Sequence, residues 1–166
     1  METQDELAML LDSLAVGRHV CAGYGPAANV PIADRVFALA EQAEQAEQAE
    51  QAHNDWSVEH GTGPISAPEV AAVLDRVNRW EAIETMADMA AVDLVRSARL
   101  QDRDGAHRAA VRVAEILGEE ADWVTNREGF WASGGQWSPV TRHGIDVVVA
   151  GANDEFFAVL LAFGDD

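Results

Sequence analysis

The chain contains no lysine, so all 11 of its basic residues are arginine. Against these stand 29 acidic residues, which give a formal net charge of −18 and a pI near 4.4. A surface so poor in positive charge argues against binding to nucleic-acid phosphates by counterion release, and equally against an anionic membrane surface. We therefore expect a basic protein as the partner, with no direct contact to nucleic acid or membrane.

Cysteine and long apolar runs are also scarce. Cys21 is the single cysteine, so no internal disulfide can form, which suits a reducing compartment. The apolar run from Leu7 to Val16 is interrupted by Asp12 and preceded by acidic residues, unlike a secretory signal. No stretch approaches the roughly 20 apolar residues of a membrane span. These absences predict a cytoplasmic protein.

What is present favours one folded α+β domain over residues 1–166. Hydrophobic residues make up 48% of the chain, which is enough for a core at this length. Helical spacing of apolar residues continues to about residue 125, with helix-start signals such as Ser66 followed by Glu69. The predicted helices are 4–16, 31–52, one long helix over 67–101, and 106–117 ending at Gly118; residues 17–30 are predicted as a loop.

After Asn126 the apolar spacing changes from helical to alternating. This pattern predicts a small antiparallel β-meander over residues 127–166, with a hairpin at Gly134-Gly135. The segment from Phe156 to Phe163 is apolar on both faces, so both faces must be covered. Either helices cover one face and a second subunit the other, or the strand lies inside a sandwiched sheet.

The tract after Leu39 repeats the triplet Glu-Gln-Ala four times up to Ala52. These residue types are good helix formers, so the tract continues the helix that begins at Pro31. A period of three differs from 3.6, so equivalent residues step around the axis by about 60° and form no fixed apolar stripe. We interpret the tract as an exposed acidic arm whose partner-binding residues are Glu41, Glu44, Glu47 and Glu50.

The arginines concentrate elsewhere, around the turn between two predicted helices. They are Arg96, Arg99, Arg103, Arg108 and Arg112. One interpretation is an anion or phosphate site formed by Arg96, Arg99 and Arg103. The other is that these side chains form ion pairs with nearby carboxylates, and we favour it because structural ion pairs outnumber such sites.

Two pairs of carboxylates have the i, i+3 spacing that places side chains on one face of a helix. They form the candidate metal site: Glu81 and Glu84 on the predicted long helix, and Glu119 and Asp122 after the next helix. Facing carboxylates can hold Mg²⁺. The pattern Glu-x-x-Glu followed by Glu-x-x-Asp resembles the metal motif of the all-α nucleotide pyrophosphohydrolases of the MazG kind. That resemblance implies Mg²⁺-dependent hydrolysis of nucleoside triphosphates. In so acidic a chain the same spacing also describes a solvated helix face, which we favour.

Three further groups of residues are weaker candidates for a functional site. A transition-metal site could use His53, Asp55, Glu59 and His60. His19 and Cys21 form a His-x-Cys pair with no third group identifiable, so Cys21 is interpreted as a structural residue. An aromatic platform could use Trp123, Trp131 and Trp137, although packing in a core or an interface is the usual fate of such residues.

Three hypotheses about function follow. The first is a non-catalytic acidic regulatory protein that binds a basic protein and occupies its nucleic-acid groove, as DNA-mimic inhibitors do. The second is an enzyme that hydrolyses nucleoside triphosphates with Mg²⁺, and it is the one hypothesis of the three that needs a cofactor. The third is a homo-oligomer or complex subunit, such as a structural subunit of a phage-type assembly, that uses the two-sided Phe156–Phe163 segment as its interface. We favour binding over catalysis.

Overall fold

The computed structural model describes residues 2–17, 19–51, 66–94, 97–126, 140–141 and 145–164. Within these ranges the chain forms helices and a single antiparallel sheet, so the predicted α+β class is confirmed. The helices are α1 (Thr3–Leu14), α2 (Ile32–Gln51), α3 (Ala67–Val73), α4 (Arg79–Ala91) and α5 (Arg103–Leu117). The strands are β1 (Val20–Pro26), β2 (Asp75–Val77), β3 (Asp122–Thr125), β4 (Ile145–Ala152) and β5 (Phe156–Gly164).

The sheet has the strand order β1-β5-β4-β3-β2, and every neighbouring pair is antiparallel. β3, β4 and β5 form a meander, of which β4 and β5 lie within the predicted range 127–166 and β3 precedes it. β1 pairs with β5 in a register that joins Val20 to Ala162, and β2 pairs with β3 in a register that joins Val77 to Trp123. Of the two edge strands, β1 lies in the predicted loop 17–30 and β2 in the predicted long helix 67–101.

Both faces of the sheet are covered by helices of the same chain. One core lies between α1, α4 and α5 and the face that carries Val147 and Leu160. The other lies between α2 and α3 and the face that carries Val148 and Leu161. Of the two arrangements expected for the two-sided apolar segment, the structure has the sandwiched sheet, and β5 offers no bare face to another subunit.

The single long helix predicted for residues 67–101 is wrong, because the chain leaves the helical conformation twice. α3 ends at Val73, β2 follows, and α4 begins after Asn78, whose side chain accepts a hydrogen bond from Glu81 N at 2.8 Å. α3 packs through Val70 in the core on one side of the sheet, whereas α4 packs in the core on the other side. Asn78 is a helix N-cap residue, and this signal opposes a continuous helix.

Two other local predictions are corrected. The segment 17–30, predicted as a loop, contains β1; an edge strand tolerates glycines and a proline that a central strand would not. The predicted helical part continues to about residue 125, but the segment after Gly118 leads into β3. Gly118 itself ends α5 as expected, with φ of 85°, a conformation that favours glycine. The predicted hairpin at residues 134–135 lies outside the described residues.

A buried tryptophan packs flat against a glycine on the neighbouring strand. Trp123 on β3 and Gly151 on β4 are register partners. A Cβ atom built on Gly151 would lie only 2.5–2.7 Å from three atoms of the Trp123 ring, and that side chain is 2% exposed. The ring has no space to move away, so this position requires glycine.

We expect Gly151→Ala to lower the free energy of unfolding by about 1–3 kcal/mol, the usual effect of overpacking a rigid core. Gly105→Ala is the matched control, since its Cβ would meet nothing nearer than Asp102 Oδ2 at 3.5 Å. That change on α5 should be neutral or stabilise by up to about 1 kcal/mol. Guanidinium unfolding measures both, and equal effects would contradict the packing assignment.

Candidate functional site

The acidic arm begins where α2 leaves the sheet. The first half of α2 packs on the second core through residues that are at most 9% exposed: Ala33, Val36, Leu39, Ala40 and Ala43. Beyond Ala43, both Gln45 and Ala46 are exposed. Helical backbone continues to Gln51, with side chains described as far as Ala46. The prediction that the Glu-Gln-Ala tract is helical is confirmed over this range.

The charge on the arm is not compensated by α2 itself. Glu41 is exposed and Glu44 is half-buried, while Glu47 and Glu50 follow on the same helix. The single cation in α2, Arg35, lies at the other end of the helix. Its guanidinium donates to Pro26 O at 3.0 Å and to Ala27 O at 3.2 Å, and it stacks over the Phe157 ring at 4.3 Å. Arg35 therefore fastens α2 to the sheet rather than neutralising the arm.

A second charged cluster joins α4 to α5 through Arg103. Its guanidinium donates to Asp88 Oδ1 at 2.8 Å and to Glu84 Oε2 at 2.5 Å. The other oxygen of Glu84 lies 3.0 Å from His107 Nε2. His107 in turn makes an edge contact with the ring of Trp80, a side chain that is 63% exposed. One arginine thus crosslinks two carboxylates of the facing helix.

The hydrogen bond from Arg103 holds the pKa of Glu84 below its ordinary value, with a smaller contribution from His107 and an opposing one from partial burial. The same contacts raise the pKa of Arg103, chiefly through Asp88 and then Glu84. These groups are partly exposed, so the cluster is a structural ion-pair network of modest energy.

The predicted anion site is mostly occupied by carboxylates of the protein. Arg103 is engaged by Glu84 and Asp88, Arg99 lies 3.6 Å from Asp102, and Arg96 lies outside the described residues. A cavity of about 360 Å³ beside them is lined by Arg99 and Arg103 but also by Asp102 and Asp104. The ion-pairing interpretation therefore accounts for Arg99 and Arg103.

The candidate magnesium ligands are each engaged separately. Glu81 Oε1 accepts from Asn78 at 3.3 Å, Glu84 pairs with Arg103, and Asp122 pairs with Arg76 at 2.6 Å. Glu119 is exposed in the turn after α5. Among the described residues, no group of three or more histidine, cysteine, aspartate or glutamate side chains is arranged to hold a metal ion.

The sequence interpretation missed a buried carboxylate, Asp146 on β4, which is fully inaccessible to solvent. It accepts hydrogen bonds from Thr141 Oγ1 at 2.6 Å, Thr141 N at 2.8 Å, Val140 N at 3.2 Å and Asn126 Nδ2 at 2.7 Å. Asn126 Oδ1 then accepts from Val148 N at 2.9 Å. Asp146 thereby ties residue 126 to residues 140–141. The available signal was one acidic residue in an otherwise apolar strand.

The remaining candidates that lie within the described residues are Cys21, His19 and Trp123. Burial raises the pKa of the Cys21 thiol to about 12, so it stays protonated and is a poor nucleophile near neutral pH. His19 packs edge-on against Phe163. Trp123 is buried in the core, whereas Trp131, Trp137 and the cluster formed by His53, Asp55, Glu59 and His60 lie outside the described residues.

The chain matches no protein-family model, no curated protein and no solved structure. Its own surfaces are therefore what indicates its function. In the parts of the chain that the structure describes, no helix combines the length and apolar character needed to cross a bilayer.

We expect Arg103→Met to lower the free energy of unfolding by about 1 kcal/mol, since it leaves Glu84 and Asp88 facing each other without their cation. This decrease in the free energy of unfolding should have its full value above pH 4.5, the ordinary pKa of Glu84. It should disappear as the pH falls through the lowered pKa of Glu84 in the folded protein. Urea unfolding across this pH range measures it. Arg76→Met, which breaks an exposed pair, is the control and should change little; a pH-independent loss would contradict the network.

We expect Asp146→Asn to destabilise the protein by about 2–3 kcal/mol, because an amide NH₂ must face one of the donors that now point at the carboxylate. Asp154→Asn in the exposed turn before β5 is the matched control and should stay within about 0.5 kcal/mol of the wild type. Thermal and chemical unfolding compare the two variants. Equal stabilities would show that the buried hydrogen bonds contribute nothing net.

Proposed function

We propose that this protein is a non-catalytic acidic regulator that binds a basic protein through the arm, and that it occupies the partner's nucleic-acid groove. The observation that carries the proposal is that α2 continues as a helix to Gln51, beyond Ala43, its last residue in the second core, and that a glutamate recurs at every third position along this part. A helix fixed at one end and charged along the other is a rigid rod of one sign of charge. Such a rod favours a partner of opposite charge.

The charge spacing on the arm is close to that of a nucleic-acid strand. Three residues of an α-helix rise by about 4.5 Å, so the arm carries one carboxylate per about 4.5 Å of axis. A strand of B-DNA carries one phosphate per about 3.4 Å. Successive glutamates also step around the axis, so Glu41 to Glu50 spread over about half of the helix circumference. A groove contacts more of that circumference than a flat surface does.

The rest of the described surface supports binding over catalysis. Glu84, Asp88 and Asp122 are bound to arginines of the same chain, and the half-buried Cys21 thiol, whose pKa is raised, is not activated. The arm glutamates are the acidic residues that follow a regular repeat along one helix. β5, the segment considered for an assembly interface, is covered by the chain's own helices on both faces.

The test compares two variants with the same net charge. The arm variant carries Gln at positions 41, 44, 47 and 50. The control replaces four exposed acids at the other end of the sheet, with Gln at 119, 120 and 155 and Asn at 154. The probes are purified helix-turn-helix, zinc-finger and histone-like domains, each bound to a fluorescent DNA duplex. Displacement of the duplex is followed by anisotropy at increasing salt.

We expect the wild type to displace the duplex from at least one domain, more weakly as salt rises. The arm variant should lose at least roughly tenfold in affinity, the effect of one close interfacial charge pair, and the control much less. Equal losses of affinity in the two variants would mean that binding depends on the net charge and not on the position of the carboxylates. Binding that survives molar salt, or no displacement from any domain at low salt, would overturn the proposal.

A further inference from the structure

The two edges of the sheet differ in how they are protected. β2 has three residues, and Asp75 and Arg76 make it the short, charged kind of edge that resists pairing with another strand. β1 has seven residues and none is charged, in a chain of which charged residues make up 24%. A long, neutral edge strand is a template for a further strand.

The hydrogen bonds of β1 alternate between β5 and the outer edge. Phe163 N donates to His19 O at 3.0 Å, so the odd-numbered residues of this segment bond to β5. The even-numbered residues direct their backbone N–H and C=O groups outwards. The contacts of Val20 agree, because its N–H donates to Gly17 O at 3.1 Å instead of to β5.

The outer edge is closed at both ends and open in the middle. At one end the Val20 N–H is already bonded to Gly17. At the other end Pro26 has no N–H, and its carbonyl accepts from Arg35 at 3.0 Å. Between them stand the N–H and C=O groups of Ala22 and Tyr24. Both residues are partly exposed, and within the described ranges no residue bonds these groups.

We propose that β1 pairs with β1 of a second copy of this chain, antiparallel about a two-fold axis through Gly23. In this register Ala22 lies opposite Tyr24 of the partner subunit, and Tyr24 lies opposite Ala22 of the partner subunit. Each of these two pairs exchanges two hydrogen bonds. The dimer thus gains four hydrogen bonds. The sheets of the two copies become one continuous sheet, and two small glycines meet on the axis.

A second copy fits this edge because the open groups are self-complementary. Shifting the register by two residues in either direction places Ala22 or Tyr24 opposite Val20, whose N–H is already bonded, or opposite Pro26, which has no N–H and whose carbonyl is already bonded. The centred register is the one that satisfies all four open groups in each copy. Such an isologous contact is the commonest way in which identical chains associate.

The helix beside β1 adds apolar surface to the same side of the molecule. Tyr24 Oη donates to Asp12 of α1 at 3.3 Å, which places α1 next to the edge. Met9 on α1 and Val16 just after it are each 55% exposed, among the most exposed large apolar side chains of the described residues. Edge pairing brings the two copies of α1 together on one face of the joint sheet, where this surface can be buried.

Salt dependence separates the dimer from the partner binding of the arm. Two copies with a net charge of −18 repel each other, so screening by salt should strengthen the dimer. Binding of the arm to a basic protein should weaken with salt. Either property can therefore be present or absent without the other.

The experiment measures the mass of the wild type and of Ala22→Pro by sedimentation over a range of protein concentration and salt. Proline at an outward-facing edge position leaves the bonds to β5 intact but removes one donor from each copy. We expect the wild type to dimerise and the variant to associate roughly 10- to 100-fold more weakly. Thermal unfolding verifies that the variant is folded.

Amide hydrogen exchange in the unmodified protein gives an independent readout. Protection of the Ala22 and Tyr24 amides should rise with protein concentration, whereas the Cys21 and Gly23 amides, bonded to β5, should be protected at all concentrations. A monomer at millimolar concentration in high salt would overturn the proposal. So would a dimer in which the Ala22 and Tyr24 amides stay unprotected, because it would use another surface.

Discussion

The structure depends on one constraint: β4 and β5 are apolar on both faces. Val147 and Leu160 face one core, and Val148 and Leu161 face the other. Burying an aliphatic side chain contributes about 1.5–3 kcal/mol, so neither face can be left to water. Helices from the first 120 residues must therefore cover both sides, which makes the antiparallel sheet the middle layer of three. The positions of α2 and of the arm follow from this arrangement.

Polar groups inside these layers are held by specific partners. Asp146 is the one acidic residue of β4 and is surrounded by donors from residues 126, 140 and 141. At the surface, Arg103 and Arg112 crosslink helices, the latter by donating to Glu6 of α1 at 2.8 Å. The absence of lysine is consistent with this use, since a planar guanidinium can bond two carboxylates at once. Arg103 and Arg112 therefore stabilise the contacts between helices.

Several elements could be predicted from sequence because their signals are local. The Ser66 cap, the end of α5 at Gly118 and the helical state of the Glu-Gln-Ala tract are all decided by residues within one turn of each other. β1 could not be found in this way. Glycines and a proline are typical of a loop, and their place in a strand depends on β5, which follows more than 100 residues later. The partners of Glu84 likewise come from α5 and depend on how two helices pack.

The pairing of β1 with β5 has a consequence for how the chain reaches its fold. It joins residues 20–26 to residues 156–162, so it closes the longest loop in the sheet, whereas the β4–β5 hairpin needs only a short turn. Long-range pairing is slow relative to hairpin formation. During that interval the uncharged, apolar β5 has an open edge, the kind of segment that seeds aggregation. A net charge of −18 makes unfolded chains repel one another during that interval, so the acidity also protects the protein before it is folded.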